Sequence, residues 1–472
     1  MQTQTSKITQ KILEKITPTE TKRAKIQALA AELERKVKVA CREFGVEATV
    51  RVEGSVAKDT WISEDPDIDV FMRLPTSIPR KNLGDIALKI ARKATEGSEQ
   101  IERFAEHPYL EAFVNGDRVN IVPCYDAKPG EWLSATDRTP FHTDYINRHL
   151  TKEMRSEVRL LKKFMKGIGV YGAEIRVGGF SGYLCELLTL YFGAFEKTLQ
   201  AFARHTQRRT VDIGGHYVHR EHELALLFPE PLVIVDPVDK GRNVASAVQA
   251  QKLYEFVAAA RAFLKAPNEE FFYPLRTQPM SVEELYKALE NRGSAIIFVA
   301  FSKVKAVPDV LWGQLHRTRR ALRKQLELSD FKVLRDAVFS EDHAAFTAFV
   351  FELEQQILPC AKMHLGPPLE REEECESFLQ KYAANSEVVA GPFIDEGRWK
   401  VELRRRYADA SDFLRIKLGS GGKDIGVADL IAEALRDSFQ VMVGEEIAMH
   451  YSYNDSFAEF LTNFISGKPF WL

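Results

Sequence analysis

The chain lacks the features that would place it outside a reducing, aqueous interior. Its five cysteines, Cys41, Cys124, Cys185, Cys360 and Cys375, are scattered, and no two form a C-x-x-C pair. Such spacing speaks against a disulfide framework and against a zinc ribbon. No run of about 18 apolar residues occurs, and the N-terminal stretch is polar with no apolar signal core. A cytoplasmic protein that neither spans nor crosses a membrane is expected. Internal repeats and low-complexity tracts are missing as well. So is an excess of positive charge: the formal net charge is −2, unlike that of a generic nucleic-acid coat protein, so any nucleic-acid binding must rest on locally concentrated basic residues. What remains is a cored protein, 45% hydrophobic and 28% charged over 472 residues. That length has room for roughly three domains.

The most informative stretch runs from Gly54 to Phe71, GSVAKDTWISEDPDIDVF. A Gly-Ser turn and polar loop lead into an alternating acid/apolar run. Read as a strand, that run puts Asp67 and Asp69 on one face and Ile68 and Val70 on the other. Two adjacent carboxylates repel unless a cation lies between them, and hard oxygen donors suit Mg²⁺, which takes further oxygens from substrate phosphates. Glycine allows backbone N–H groups to approach such phosphates closely. A bare D-x-D is more often a solvated strand; the Gly-Ser pair at this spacing moves the reading to metal-assisted nucleotidyl transfer. The pattern resembles the signature of DNA polymerase β-like nucleotidyltransferases, which leaves the substrate open.

Around this stretch the first 45 residues read as helix, with Thr17 as cap, Pro18 in the first turn and Glu20 at the third position. Strand-like ATVRVEG precedes the motif, a helix is expected at Asn82–Ala94, and short strands at 100–106, 109–114 and 118–124. Residues 1–150 thus form an α/β catalytic unit. From Thr151 a helix carries Met154, Val158, Leu161 and Phe164 on one side and Arg155, Arg159, Lys162 and Lys166 on the other. Such a stripe is ordinarily a solvated face, although its position favours phosphate contact. Further helices at Tyr183–Ala203 and Val244–Lys265 make residues 151–266 a helical domain. Residues 267–472 mix strands (Ser294–Val304, Phe331–Ser340, Ala345–Leu353, Trp399–Arg405) with helices (Asp309–Glu327, about 426–440 and 454–466). Within this part, HRTRRALRK holds Arg319, Arg320 and Arg323; it reads equally as a solvated face and as an RNA-backbone contact.

Several stretches, in order from Gly54 to Ala245, resemble the archaeal (class I) CCA-adding tRNA nucleotidyltransferases. They are GSVAKDTW, PDIDVF, AEHPYLE, NIVPCY, DRTPFH, EVRLLKKF, GVYGAEIRVGGFSGYLCE and DPVDKGRNVA. The resemblance implies a multidomain α/β and α+β fold: a polymerase β-like nucleotidyltransferase head, a helical neck (151–266), and an α+β body and tail (267–472) that hold the tRNA acceptor arm. It implies template-independent addition of C, C and A from CTP and ATP. Asp67 and Asp69 would hold two Mg²⁺ ions, with Asn120 where the family carries a third acid. Ser55, Lys58, His142, Lys162 and Tyr171 would contact the triphosphate, His107 would lie near the incoming nucleotide, and Arg242 would read its base. A homodimer is compatible with the resemblance.

Asn120 offers a neutral oxygen, orients a ligand but cannot act as a base, and removes one negative charge from the site. Asp117 falls on the opposite strand face, and Asp126 reaches back only through a turn. Two alternatives stay open: another polymerase β-like transferase of the poly(A) type, and a catalytically impaired tRNA-binding form. The glycine-rich Gly419–Lys423 lacks the Ser or Thr of a phosphate loop and reads as a mobile hairpin or linker. His216, His219 and His222 read as a solvated loop.

Overall fold

The computed structural model describes residues 4–104, 106–204, 207–341, 344–469 and 471–472. They divide into two compact units, one running to Arg276 and including Pro469–Leu472, the other Thr277–Lys468.

The first unit opens with α1 (Gln4–Ile16) and α2 (Glu20–Glu43), not with one helix. Proline lacks an N–H and pushes the residue before it out of helical geometry, so the chain breaks at Thr17-Pro18. The cap of α2 is Thr19, whose side chain accepts the Lys22 amide at 3.2 Å. Next come β1 (Thr49–Glu53), the single turn α3 (Gly54–Ala57) where a Gly-Ser loop was expected, β2 (Asp67–Leu74) and α4 (Arg80–Ala94). Then follow β3 (Glu99–Phe104), β4 (Pro108–Val114) and β5 (Asp117–Tyr125); the strand expected at 100–106 extends over residue 105, outside the described residues. The sheet order is β1-β2-β5-β4-β3, with β2 and β5 parallel and the other neighbours antiparallel. Helices α2 and α4 cover one face, where Ile26, Leu33, Val37, Leu83 and Ile90 meet Ile68, Val70, Val119 and Ile121. Strand alternation leaves the acids of β2 on the other face.

A second set of helices follows: α5 (Thr139–His149), which touches β1, α6 (Lys152–Gly167), α7 (Gly182–Phe192), α8 (Phe195–Ala203), α9 (Glu221–Leu227) and α10 (Ala250–Lys265). The helix expected at Tyr183–Ala203 is two, because Gly193 at φ +85° ends α7 in the left-handed conformation. Nor is this region all helical. Strands β6 (Arg209–Asp212), β7 (Leu232–Asp236) and β8 (Asp239–Asn243) form a small sheet. The helix expected from Val244 starts at Ala250, because Asn243 Oδ1 accepts the Ile234 and Ala245 amides, each at 2.9 Å, and holds the chain in a turn. Buried phenylalanines, among them Phe164, Phe180, Phe195, Phe202, Phe256 and Phe263, fill the core. Trp471 joins that core, stacked on Phe271 with ring centroids 5.6 Å apart.

The second unit contains α11 (Val282–Arg292), β9 (Ala295–Ser302), α12 (Pro308–Leu328), β10 (Val333–Phe339) and β11 (Phe346–Leu353). Beyond them lie β12 (Ala361–Pro368), α13 (Glu372–Tyr382), β13 (Val388–Asp395), β14 (Arg398–Arg404), α14 (Ala410–Leu418) and α15 (Asp429–Asp437). The unit ends with β15 (Phe439–Val443), α16 (Ala448–Tyr453) and α17 (Asp455–Ser466). One sheet has the order β10-β11-β9-β15, the other β12-β14-β13. The helix expected at 426–440 stops at Asp437 and turns into β15 through the extended Ser438. Glycines 421 and 422, both at positive φ, form a helix-ending turn after α14 rather than a hairpin. Among the described residues no helix is long and apolar enough to cross a membrane.

Candidate active site

One rung of the first sheet carries four polar residues side by side: Glu53 on β1, Asp69 on β2, Asn120 on β5 and Glu111 on β4. Two rungs away, on the same face, Asp67 pairs with Arg118. The Asn120 amide donates to Asp69 Oδ1 at 3.0 Å, and Arg118 forks onto Asp67 at 2.5 and 2.7 Å. Burial pushes the Asp69 carboxyl up to about 6 despite the Asn120 hydrogen bond. Burial also raises Asp67, against the pull of the Arg118 charge. Glu53, with no exposure, is pushed up to about 6 chiefly by burial. Gly54 sits at φ +69°, and a Cβ there would lie 2.1 Å from Asp69 Oδ2, so only glycine fits against the acid.

Neither acid considered as a substitute for the missing third one reaches this place. Asp117 faces away and pairs with Lys25 on α2 at 2.7 Å, and Asp126 pairs with Arg73 at the far end of the strand. Besides Asp69, the acid in register with Asn120 is Glu111 on its other side, which sequence reading missed; Arg103 holds it at 2.7 Å.

Beside Asp67 a cavity of about 370 Å³ is lined by Ser55, Asp65, Arg118, Lys162, Lys166 and Tyr171 among others. The basic stripe of α6 is not a solvated face. Its Arg159 and Lys162 are 2 and 3% exposed, Arg155 and Lys166 are half-buried, and Lys163 beside the stripe is buried too. The stripe grips the loop that leads into β2. Arg159 donates to the Trp61 carbonyl and to Asp59, Lys163 to Glu64, and Lys166 to Asp65. Lys162 donates to the Thr60 carbonyl and hydroxyl at 3.2 and 3.0 Å and to Glu186 Oε1 at 3.0 Å. Glu186, on α7, also accepts from Lys58 and from the Thr60 hydroxyl, both at 2.5 Å. Burial works to raise its carboxyl, but the two lysine charges outweigh it and hold the group at about 2. Burial in turn lowers Lys162, against the opposing charge of Glu186. Tyr171 belongs to the same corner: a Cβ on Gly182 would meet its hydroxyl at 2.9 Å and Lys162 Nζ at 3.5 Å.

A second buried acid gathers the next group. Asp236 accepts from Arg242 Nη1 at 2.7 Å and from the Tyr183 hydroxyl at 3.2 Å, and pairs with His142 Nε2 at 2.8 Å. Burial opposes ionisation, yet His142 and Arg242 hold Asp236 at about 2. His142 stacks on Tyr183 at 4.0 Å, and burial lowers its pKa against the pull of Asp236. Tyr183 links the two clusters, because Lys58 lies over its ring at 5.6 Å. His107 stands apart: it precedes β4 and packs edge-on against Tyr125 at the other end of β5. By register it lies four rungs from Glu111, roughly 13 Å along the strand.

In the second unit the three candidate arginines of α12 divide. Arg319 and Arg323 both pair with Asp336 on β10, at 3.1 and 2.7 Å, whereas Arg320 is exposed.

Comparison with known proteins follows this geometry. Residues 33–142 match the nucleotidyltransferase domain family, 156–273 the second domain of tRNA nucleotidyltransferase, and 292–444 the C-terminal domain of CCA-adding enzyme. A CCA-adding enzyme of Methanosarcina barkeri is 37% identical over 446 residues, spanning 94% of this chain and 95% of that protein. The chain belongs to the CCA-adding enzyme family. Similar proteins of that name occur in Halobacterium salinarum, 36% identical over 93% of this chain and 97% of that protein, and in Methanothermobacter thermautotrophicus, 35% identical over 91% and 96%. A solved cytoplasmic RNA terminal U-transferase overlays 56% of this chain and 94% of its own at 15% identity and a TM-score of 0.43, a likeness too slight to argue from.

For a CCA-adding enzyme the donor set fits magnesium. Asp67, Asp69 and the Asn120 amide offer only hard oxygens on adjacent strands. Among the described residues no three His, Cys, Asp or Glu side chains converge as metal ligands, so the site supplies two carboxylates and an amide. The histidines at 216, 219 and 222 form no such group either.

Proposed function

We propose that this chain adds C, C and A to the 3′ end of tRNA, taking CMP and AMP from CTP and ATP and releasing pyrophosphate, with no nucleic-acid template. The observation that carries the reading is the acid pair of β2, whose Asp67 lines a cavity together with the buried Lys162 and with Lys166, in a chain of this family.

Asp67 and Asp69 would hold the magnesium ions, with Asn120 as a neutral third donor; bound there, the metal would make the primer 3′ hydroxyl acidic and neutralise the departing pyrophosphate. The chain's own groups do the rest. Ser55, Lys58, Lys162 and Tyr171 receive the triphosphate from the loop side, where the burial of the two lysines strengthens their charges. Arg242, half-exposed and steadied by Asp236, is the base reader: its guanidinium fork can match the edge of C or A. His142 acts through the same acid to fix that corner. His107, far along the strand from Asp69, is placed for the base end of a nucleotide rather than its phosphates.

On this reading residues 1–150 are the catalytic head and 151–266 the neck, and the body and tail that grip the tRNA acceptor arm lie within 267–472, apart from Phe271, Phe272 and Trp471, which pack in the core of the first unit. Of the three arginines, Arg320 is free to meet the RNA backbone, while Arg319 and Arg323 are engaged with Asp336.

The test is primer extension on tRNA lacking its 3′ CCA, with each nucleotide alone and with CTP and ATP together. Ordered addition of two C residues and one A is expected. A run of AMP additions identifies a poly(A)-type transferase instead, and tRNA binding without extension identifies an inactive binder.

A further inference from the structure

Glu186 is the one acid in a fully buried group that also contains Lys58, Lys162 and Thr60. The lysines come from different elements, Lys58 from the end of the α3 turn and Lys162 from α6, and the carboxylate comes from α7. Each lysine takes a different carboxylate oxygen, Lys58 Oε2 and Lys162 Oε1. Thr60 closes the ring, donating to Oε1 while its hydroxyl oxygen accepts from Lys162. Within this group two cations share a single carboxylate, and the further acids whose charge reaches Lys58 are Asp69 and Glu53 on the sheet. Cations gathered on one acid are suited to a second anion, and the cavity that Lys162 lines is where one can meet them.

We propose that Glu186 is a positioning residue for the triphosphate. Its carboxylate holds two ammonium groups close together that would otherwise repel, and aims both at the phosphate side of the site. The assignment rests on the reading of Lys58 and Lys162 as triphosphate contacts. It gives Glu186 a role separate from the metal pair, because the carboxylate touches the lysines and not Asp67 or Asp69.

The experiment measures equilibrium binding of CTP and ATP in the presence of Mg²⁺, and separately of tRNA, to wild type and to Glu186→Gln. Glutamine keeps the shape and removes the charge. One charge-assisted hydrogen bond is worth a factor of about ten or more, so nucleotide affinity is expected to fall at least about tenfold. Affinity for tRNA stays within about twofold, and Glu186→Asp recovers part of the loss. Wild-type nucleotide affinity in a folded Glu186→Gln protein overturns the assignment. Equal weakening of nucleotide and tRNA overturns it too, because that marks a merely structural acid. If Glu186→Gln does not fold, Thr60→Val removes only one bond to the same carboxylate. About threefold weaker nucleotide binding is then expected, and unchanged binding overturns the proposal. A wild-type chain that binds CTP and ATP yet extends no tRNA defeats the proposed reaction and leaves the role of Glu186 standing.

Discussion

Glu186 in the first unit and Glu352 in the second are built alike. Each is buried, and each is held by two cations and one hydroxyl. Glu352 on β11 takes Arg292 at 2.7 Å, Arg335 at 2.7 Å and the Ser294 hydroxyl at 2.7 Å. Burial works to raise its carboxyl, but these bonds hold it at about 2. The difference lies in where the cations go next. Arg292 and Arg335 also donate to the carbonyls of Ile465 and Phe464, at 2.9 and 2.7 Å, so their remaining capacity ties α17 to the sheet. Of the Glu186 lysines, Lys162 instead lines a cavity. A buried acid whose partners finish on backbone is a fastening; one whose partners border open space is a candidate for function. Arginine's planar fork suits the first use and the compact ammonium of lysine the second.

The widest separation between the two regions should come from the acid pair itself. Asp67→Ala or Asp69→Ala should lower single-turnover CMP addition by about 10³-fold or more, with the unfolding transition of the second unit unmoved. Turnover at the wild-type rate would return β2 to an ordinary strand. Next is Glu352→Gln, which breaks a buried pair and should cost about 3 kcal/mol in denaturant unfolding without weakening nucleotide binding. The pH sign follows from its lowered carboxyl. The contribution is complete above the ordinary value of 4.5 and is lost as pH falls towards 2. Stability should therefore drop across that window in wild type and less steeply in Glu352→Gln.

Asn120→Asp returns a charged donor beside Asp69 and should speed CMP addition by about 10²-fold if the residue assists deprotonation of the primer. A rate no faster than that of the Asn form means that this chain activates its primer through another group. Arg242→Ala should loosen the choice of CTP and ATP over UTP and GTP by about 1.5–3 kcal/mol, the worth of a charged hydrogen bond, and leave triphosphate affinity nearly intact. Incorporation ratios among the four nucleotides measure this. The smallest effect is expected from Arg320→Glu, which should weaken tRNA binding a few-fold and reduce the salt slope by about one contact. The same change at Arg319 or Arg323 should instead be felt as lost stability through Asp336.

What was legible in the sequence was what local period reveals. Alternation along β2 sets Asp67 and Asp69 together and alternation along β5 puts Asp117 on the face opposite Asn120, and the structure has both. Glu186 escaped notice because SGYLCELL reads as an apolar helix with one stray acid, and its partners lie 128 and 24 residues away in sequence. The stripe of α6 was misjudged for the same reason: helical period shows that the basic residues share a face, not what that face meets. The strands of residues 209–243 were missed because each is only four or five residues long, too short for a period to register. Asp236 gains its partners only through the fold, which sets Arg242 of β8 and His142 of α5 beside it.

Trp471 has a consequence for how the molecule is made. Its ring completes a core whose other members all lie between Ile12 and Phe272. During synthesis, the residues up to Arg276 leave the ribosome long before position 471 is translated. The catalytic unit must therefore wait, with one side of its phenylalanine core uncovered, while the whole of the second unit is built. Domains fold largely as they emerge, so the second unit folds as an insertion in a first that is not yet closed. The seating of that indole on Phe271 is open to the chain only once position 471 has been made.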